Sequence, residues 1–287
     1  MASVLIVGDE RKGEVRAFVD EAAQALRRDG HRVECDLVRD RSLEPHEADL
    51  VAVFGGDGSI LSAARRMGRN QMPTVGVNLG RLGFLAAFRP EEAIDGLREA
   101  LNGELIEEPR RMLRCTVRDP DSGESTFESL CLNDIVLARG PDAGILMLSA
   151  HLDEGELAAY PGDGLIVATS VGSTAYSLAA GGPIVAPGLE ALVLTPLAPH
   201  TLSVRPLVVP MQGRLLLRVD ETGGGGCAHL SVDGQVHAEV PQGGEVIIES
   251  TDFCFRHLMR EANSFFRILR RKFRWAHMPR HEDNDGC

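Results

Sequence analysis

The feature that most constrains the fold is a change of rhythm near residue 104. Before it, Val4–Val7 and Leu50–Phe54 are uninterrupted apolar runs, Val33–Val38 alternates like a strand, and Thr74–Val77 is another short strand. Unbroken runs are what strands covered on both faces look like. Between them Val15, Phe18, Val19, Ala22, Ala25 and Leu26 recur at helical spacing and stop at Gly30. Ile60, Leu61, Ala64 and Met67 mark a second helix face; Pro90 and two glutamates open a third helix, which ends near Gly103. This alternation predicts a parallel, doubly wound α/β domain over residues 1–104. Beyond it strands follow strands: Leu113–Val117, Leu130–Leu137, Ile145–Leu152, Leu165–Thr169, Leu207–Val209, Leu215–Val219, Leu230–Val232 and Val246–Glu249. Residues 105–260 are therefore expected to form a β-rich domain, with Gly223–Gly226 as a hairpin turn. In Asn263–Trp275 the residues Phe266, Ile268, Leu269 and Phe273 fall on a helical pattern, and 261–287 is expected to pack back on the first domain.

Composition removes several function classes. A net charge of −12 argues against nucleic-acid binding, which needs a basic face. The one basic run, Arg267–Arg274, reads as the solvated side of the last helix. Cysteines at 35, 115, 131, 227, 254 and 287 lack metal-ligand or C-x-x-C spacing, which suits thiols in a reducing compartment. The N-terminus has no basic signal-peptide region, and no apolar stretch approaches the ~18 residues of a membrane span. A soluble, cytoplasmic protein with neither membrane nor nucleic-acid partners is expected.

The chemistry concentrates in Phe54-Gly55-Gly56-Asp57-Gly58-Ser59, directly after a buried strand and before a helix. Ligands of open α/β sheets bind at the carboxyl ends of strands. Glycines let backbone N–H groups approach phosphate oxygens, and the following helix offers its N-terminus to the same anion. Asp57 fits two roles: a turn aspartate that holds a loop, or a carboxylate that orients a metal or accepts a hydroxyl proton. There is no G-x-x-x-x-G-K-[ST], no G-x-G-x-x-G after the first strand, no H-E-x-x-H and no G-x-S-x-G. Further on, Asn133-Asp134 interrupts an apolar run, either to face a ligand or to form a bulge. Gly162-Asp163-Gly164 precedes a strand, and Gly172-Ser173-Thr174-Ala175-Tyr176-Ser177 follows it with the small, hydroxyl-rich composition of a base or ribose pocket.

Taken in order, these segments resemble the NAD kinase family. The resemblance rests on Gly55–Gly58, the V-G-V-N-L-G-R-L-G-F-L stretch Val75–Leu85, Leu132–Asp134, Asp163-Gly164, Gly172–Pro183, Pro199–Pro206, Asp233-Gly234-Gln235 and the C-terminal F-F-R-I-L-R-R-K-F. It implies a Rossmann-like N-terminal domain and a β-sandwich-like C-terminal domain with the active site between them. It implies phosphoryl transfer from ATP, carried with Mg²⁺, to the 2′-hydroxyl of the adenosine ribose of NAD. Asp57 would orient or deprotonate that hydroxyl, with Gly55, Gly56 and Gly58 against the phosphates. Asn133 and Asp134 would hold the adenosine ribose. Thr174, Ala175, Tyr176, Ser177 and Ala179 would line the adenine and ribose pocket, with Phe84 near adenine. Pro161 and Asp163 would face the nicotinamide ribose, and Gln235 would border the dinucleotide. A homodimer or homotetramer, with the site completed by a neighbouring subunit, is likewise implied. The chain departs from the family pattern at Gly144, Pro161, Ser170-Val171 and Ala179. Pro161 bears on the choice between NAD and NADH.

Overall fold

Four strands and three helices make the first layer system: β1 (Ser3–Val7), α1 (Val15–Arg28), β2 (Arg32–Asp36), β3 (Leu50–Phe54), α2 (Asp57–Arg66), β4 (Thr74–Val77) and α3 (Ala93–Leu101), the last entered through a 3₁₀ turn at Pro90–Glu92. The structure is a computed structural model and describes residues 1–11, 13–38, 41–80, 83–86, 88–140, 144–153, 155–261 and 265–273. The strands lie in the order β2-β1-β3-β4, all parallel. Alternate residues of β1 divide between the faces. Val4 and Ile6 meet Val15, Val19 and Leu26 of α1 and Leu97 of α3, while Leu5 and Val7 meet Ile60 and Ala64 of α2. The chain thus leaves β1 towards one face and its neighbour β3 towards the other. That reversal opens a crevice between their carboxyl ends. Gly30, at φ +86°, ends α1 with the His31 N–H on the Leu26 carbonyl at 3.0 Å.

The rest of the chain runs through β5 (Ile106–Arg118), β6 (Ser125–Cys131), β7 (Asp134–Ala138), β8 (Leu146–Leu152), β9 (Gly155–Gly162), β10 (Gly164–Thr169), a 3₁₀ turn at Gly172–Thr174 and α4 (Tyr176–Ala179). It continues through β11 (Ala191–Leu197), β12 (Leu207–Pro210), β13 (Arg214–Glu221), β14 (Cys227–Val232), β15 (Val236–Pro241), β16 (Glu245–Met259) and α5 (Phe265–Phe273). One antiparallel sheet has the order β12-β11-β10-β7-β14-β15. It faces β5, β6, β8, β13 and β16 across a core that includes Leu113, Ile135, Leu148, Leu165, Leu194, Leu215, Leu230 and Val246. This is a β-sandwich, as expected.

The second sheet of the sandwich does not stop at the domain border. β16 pairs with β13 through Glu245–Glu249, then with β4 through His257↔Thr74, while β5 runs antiparallel beside both halves, from Glu245↔Arg118 to Met259↔Ile106. The α/β sheet and the sandwich therefore share one ten-stranded sheet.

Two expectations change in detail. The Leu130–Leu137 run is two strands, β6 and β7, broken at Leu132-Asn133. Gly223–Gly226 all have positive φ, but they carry the chain from β13 in one sheet to β14 in the other, so they form a crossover rather than a hairpin turn. The last helix is described over Phe265–Phe273; Asn263, Ser264, Arg274 and Trp275 lie outside the described residues, as do Arg81 and Leu82 of the glycine-rich stretch.

Candidate functional site

The crevice is built from backbone more than from side chains. β3, buried along its whole length, delivers the chain to Gly55, where a Cβ would lie 2.2 Å from Ser59 Oγ. Only glycine lets the chain turn into α2 that tightly. The Cβ position of Gly56 faces open space. The first turn of α2 thus presents unblocked N–H groups and the positive end of its dipole to the crevice. The cavity there is about 200 Å³ and is lined by Val7, Gly8, Asp9, Gly56, Gly58, Ser59, Ser62, Arg66 and Gln235.

Asp57 opens α2, and its half-buried carboxylate reaches across to the next loop. Oδ2 accepts the Phe84 N–H at 2.8 Å, and Oδ1 accepts those of Leu85 and Ala86 at 3.0 and 3.1 Å. The approach is so close that a Cβ on Gly83 would sit 2.0 Å from Oδ1, which accounts for the second glycine of the N-L-G-R-L-G-F stretch. The loop-holding role left open in the sequence is therefore real. It does not exhaust the carboxylate, because Oδ2 accepts only one of these bonds and keeps a lone pair for a further donor.

A second carboxylate makes the same arrangement at the Asn133-Asp134 step. Asp233 sits at φ +51° in the turn between β14 and β15. Its Oδ1 accepts the N–H groups of Leu132, Asn133 and Asp134 at 3.2, 2.7 and 3.3 Å and lies 3.2 Å from the Cys131 thiol. These bonds draw the backbone away from the strand ladder, which is why β6 and β7 separate here. Arg65 of α2 stands 3.8 Å from Asp233 Oδ2. Burial raises both acids of the pair. Asp233 keeps the negative charge, because backbone N–H groups and the Arg65 guanidinium surround it. Asp134 is pushed up to about 7 by desolvation and then by the neighbouring Asp233 charge. Asn133 Oδ1 is a buried acceptor with no partner among the described residues.

The Gly172–Ala179 segment docks onto that step. A Cβ on Gly172 would lie 2.1 Å from the Asn133 carbonyl oxygen. Thr169 Oγ1 donates to Leu132 O at 2.7 Å and accepts the Gly172 N–H at 3.1 Å. The hydroxyls expected to edge a base are instead used within the chain. Ser173 donates to Ser170 O, Thr174 to Val171 O at 3.3 Å, and Ser177 pairs with Thr195 at 2.8 Å. Tyr176, 48% exposed, is the side chain that projects, with Ala175 half-buried and Ala179 exposed beside it.

The remaining predicted residues fall into three places. Gln235 bridges the two domains: its Nε2 donates to Gly58 O at 2.7 Å, and its Oε1 accepts from Arg65 Nη2 at 2.8 Å. Phe84 meets Phe265 and Phe273 of α5 at 5.8 and 6.1 Å, with Lys272 Nζ 4.4 Å from its ring centre. Asp163 lies just beyond the opposite end of β10 from Thr169, roughly 20 Å away at strand rise, with Pro161 at the end of β9 before it, and Asp163 pairs there with Arg139 at 2.7 Å. Asp57, Gly58 and Gln235 thus gather in one place, Asn133 and Asp134 adjoin Asp233 with Gly172 against Asn133, and Pro161 and Asp163 do not join either group. Sequence reasoning did not single out Gly83, Arg65 or Asp233 as site residues. The signal for Asp233 was its place in the Asp233-Gly234-Gln235 motif, from which only Gln235 was taken as a site residue.

Comparison with known proteins agrees along the chain. Residues 14–105 match the ATP-NAD kinase N-terminal domain and residues 132–258 the ATP-NAD kinase C-terminal domain. The NAD kinase of Solibacter usitatus is 40% identical over 232 residues, covering 81% of this chain and 79% of its own. That of Rhodopirellula baltica is 42% identical, covering 80% and 73%. Among solved structures, yeast NADH kinase complexed with NADH superposes with a TM-score of 0.87 at 25% identity, over 98% of this chain and 90% of that one. An NAD kinase from Archaeoglobus fulgidus in complex with ATP gives 0.76 at 28% identity, over 93% and 98%.

Proposed function

The chain belongs to the NAD kinase family and transfers the terminal phosphoryl group of ATP to NAD, and from that premise we propose how its residues divide the work. The triphosphate lies in the crevice against Gly55, Gly56 and Gly58. Asp57 receives a hydrogen bond from the 2′-hydroxyl of the adenosine ribose and takes its proton as the ribose oxygen bonds to the terminal phosphorus. The bond to the bridging oxygen breaks, and the nucleoside diphosphate leaves with the electron pair. The observation that carries this reading is the half-buried Asp57 carboxylate at the start of α2, clamped by three backbone N–H groups with Oδ2 accepting only one of them. Phosphoryl transfer asks mostly for positioning, and a carboxylate fixed at three points is a positioned base. Asn133 and Asp134 hold the adenosine ribose; the unpartnered buried Asn133 Oδ1 supports this, since a ribose hydroxyl would satisfy it. Phe84, Thr174, Ala175, Tyr176, Ser177 and Ala179 border the adenosine, and Gln235 sets the distance between the two halves.

Mg²⁺ carried by the donor would supply neutralisation of charge on the transferring phosphate. Among the described residues no group of three or more His, Cys, Asp or Glu is arranged to hold a metal. Asp9, which lines the cavity, and Asp57 beside it are the carboxylates that would face such an ion, which would keep most of its hydration. The displacement of Pro161 and Asp163 to the far end of β10 supports a homo-oligomer in which they serve a neighbouring subunit's site. No helix among the described residues is long and apolar enough to cross a membrane. A cytoplasmic place of action is part of the reading, supported by free thiols at Cys35, Cys115, Cys131, Cys227 and Cys254.

The test is an end-point assay with purified protein, Mg²⁺, ATP and either NAD or NADH, read by a dehydrogenase specific for the phosphorylated cofactor. D57N is expected to lose about 10²–10⁴-fold in kcat with dinucleotide binding retained. A D57N enzyme close to wild-type rate removes the base assigned here. The NADH arm reports the consequence of Pro161.

A further inference from the structure

Beneath the loop that grips Asp57 lies His257, near the end of β16. It is fully buried, its ring is stacked on Phe255 at 6.1 Å, and its Nε2 stands 2.8 Å from the Leu85 carbonyl oxygen. A carbonyl only accepts, so Nε2 carries the hydrogen. Desolvation, then the nearby Arg110 charge, pulls the imidazole down to about 4, so the ring is neutral at working pH. Among the described residues Nδ1 has no partner, and the hydrogen bond this side chain makes there is the one to Leu85.

The Leu85 carbonyl and the Ala86 N–H are the two ends of one planar peptide unit and point in opposite directions. The Ala86 N–H is one of the three that hold Asp57. His257 therefore grips one end of a rigid plate whose other end grips the carboxylate. β4 fixes the height of the same plate, since a Cβ on Gly76 would meet Ala86 Cα at 2.9 Å and the Leu85 oxygen at 3.1 Å. That contact stops the plate from sinking. The tilt of the plate is set by the hydrogen bond.

We propose that His257 is a positioning residue for phosphoryl transfer: through the Leu85–Ala86 peptide it sets the direction in which Asp57 presents Oδ2 to the ribose hydroxyl. The inference rests on the role given to Asp57 above. A residue that merely fills the core would be replaceable by any side chain of similar volume, whereas a positioning donor is replaceable only by another donor at the same place.

The test measures kcat and KM for NAD and ATP in wild type, H257M, H257Q and D57N, with melting curves to establish folding. Methionine fills the space without a donor, while glutamine places an amide N–H near the position of Nε2. H257M is expected to lose about 10- to 100-fold in kcat, the scale of a misplaced catalytic group, with the KM for NAD within threefold. H257Q is expected to keep at least a third of wild-type kcat. The proposal is overturned by an H257M enzyme within twofold of wild-type kcat, by an H257Q enzyme as slow as a folded H257M, or by KM for NAD rising in step with the loss of kcat. Should H257M not fold, H257N, whose amide stops short of Leu85, takes its place beside H257Q under the same criteria. A D57N enzyme at wild-type rate overturns the reading of Asp57 itself, a result the other variants cannot imitate.

Discussion

Asp57 and Asp233 are the same device used twice. Each carboxylate collects three consecutive backbone N–H groups, from Phe84, Leu85 and Ala86 in one case and from Leu132, Asn133 and Asp134 in the other. What differs is the surroundings. The Asp57 side chain is half-buried at a helix N-terminus beside a cavity, whereas the Asp233 side chain is wholly buried next to a thiol and a guanidinium. The bonds determine the shape of the loop in both places. Access to the outside decides whether the carboxylate has anything left to do: Asp233 is a peg, and Asp57 is a peg with one face open.

Breaking each half separately sharpens that contrast. D233N should cost stability before activity. It replaces an acceptor with an amide beside N–H donors and removes the negative charge 3.8 Å from Arg65. Damage to a buried charged cluster is on the order of 3 kcal/mol, measurable as a fall in denaturation midpoint. A D233N protein as stable as wild type denies Asp233 its structural role. G83A should do the reverse. Its new Cβ pushes on the Asp57 carboxylate from 2.0 Å, so kcat should fall by at least about tenfold, while the melting temperature moves by only a few degrees. An unchanged kcat in G83A means that the tight approach of this loop does not matter to the chemistry.

The smallest effect falls on the neighbour of the buried peg. The folded-state value of Asp134, about 7, is raised above the ordinary carboxylate value. A raised value favours the folded state fully below the unfolded value, near pH 4, and that contribution is lost as pH climbs through about 7. D134N removes the dependence. The stability of D134N relative to wild type should therefore rise between pH 5 and pH 8, by about 2 kcal/mol, and level off above. Parallel pH profiles for the two proteins would show that this carboxyl ionises as freely folded as unfolded.

Much of this was legible in the sequence, and the exceptions share a cause. Unbroken apolar runs and helical spacing located β1, β3, α1 and α2, because their burial is continuous and local. The G-G-D-G loop announced itself as glycines after a buried strand. β16 was read only over Val246–Glu249, although it extends to Met259. Its register slips between Ser250 and Cys254, and Thr251 and Asp252 interrupt the apolar pattern there. The role of Asp233 was hidden, although its motif was noticed, because its partners are about a hundred residues away and no local pattern records which backbone a side chain will reach. The hydroxyls of Ser173, Thr174 and Ser177 looked available for the same reason: composition shows that they exist, and only the folded backbone shows that they are already bonded.

One consequence of the shared strand concerns how the two halves of the molecule move. Domains joined by a linker open like a book, with the spine as the soft part. Here the spine is β16 with β5 laid along it, and bending it open would break ladder bonds in the middle of a sheet. The motion left is torsion, a wringing of the sheet about β16, softest where the ladder slips between Ser250 and Cys254. Such a twist slides the Asp57 loop across the Asn133-Asp134 step instead of lifting it away. Substrate exchange would then be felt as shear along the crevice, with the link from Gln235 to Gly58 and Arg65 of α2 as the first contact to feel the strain.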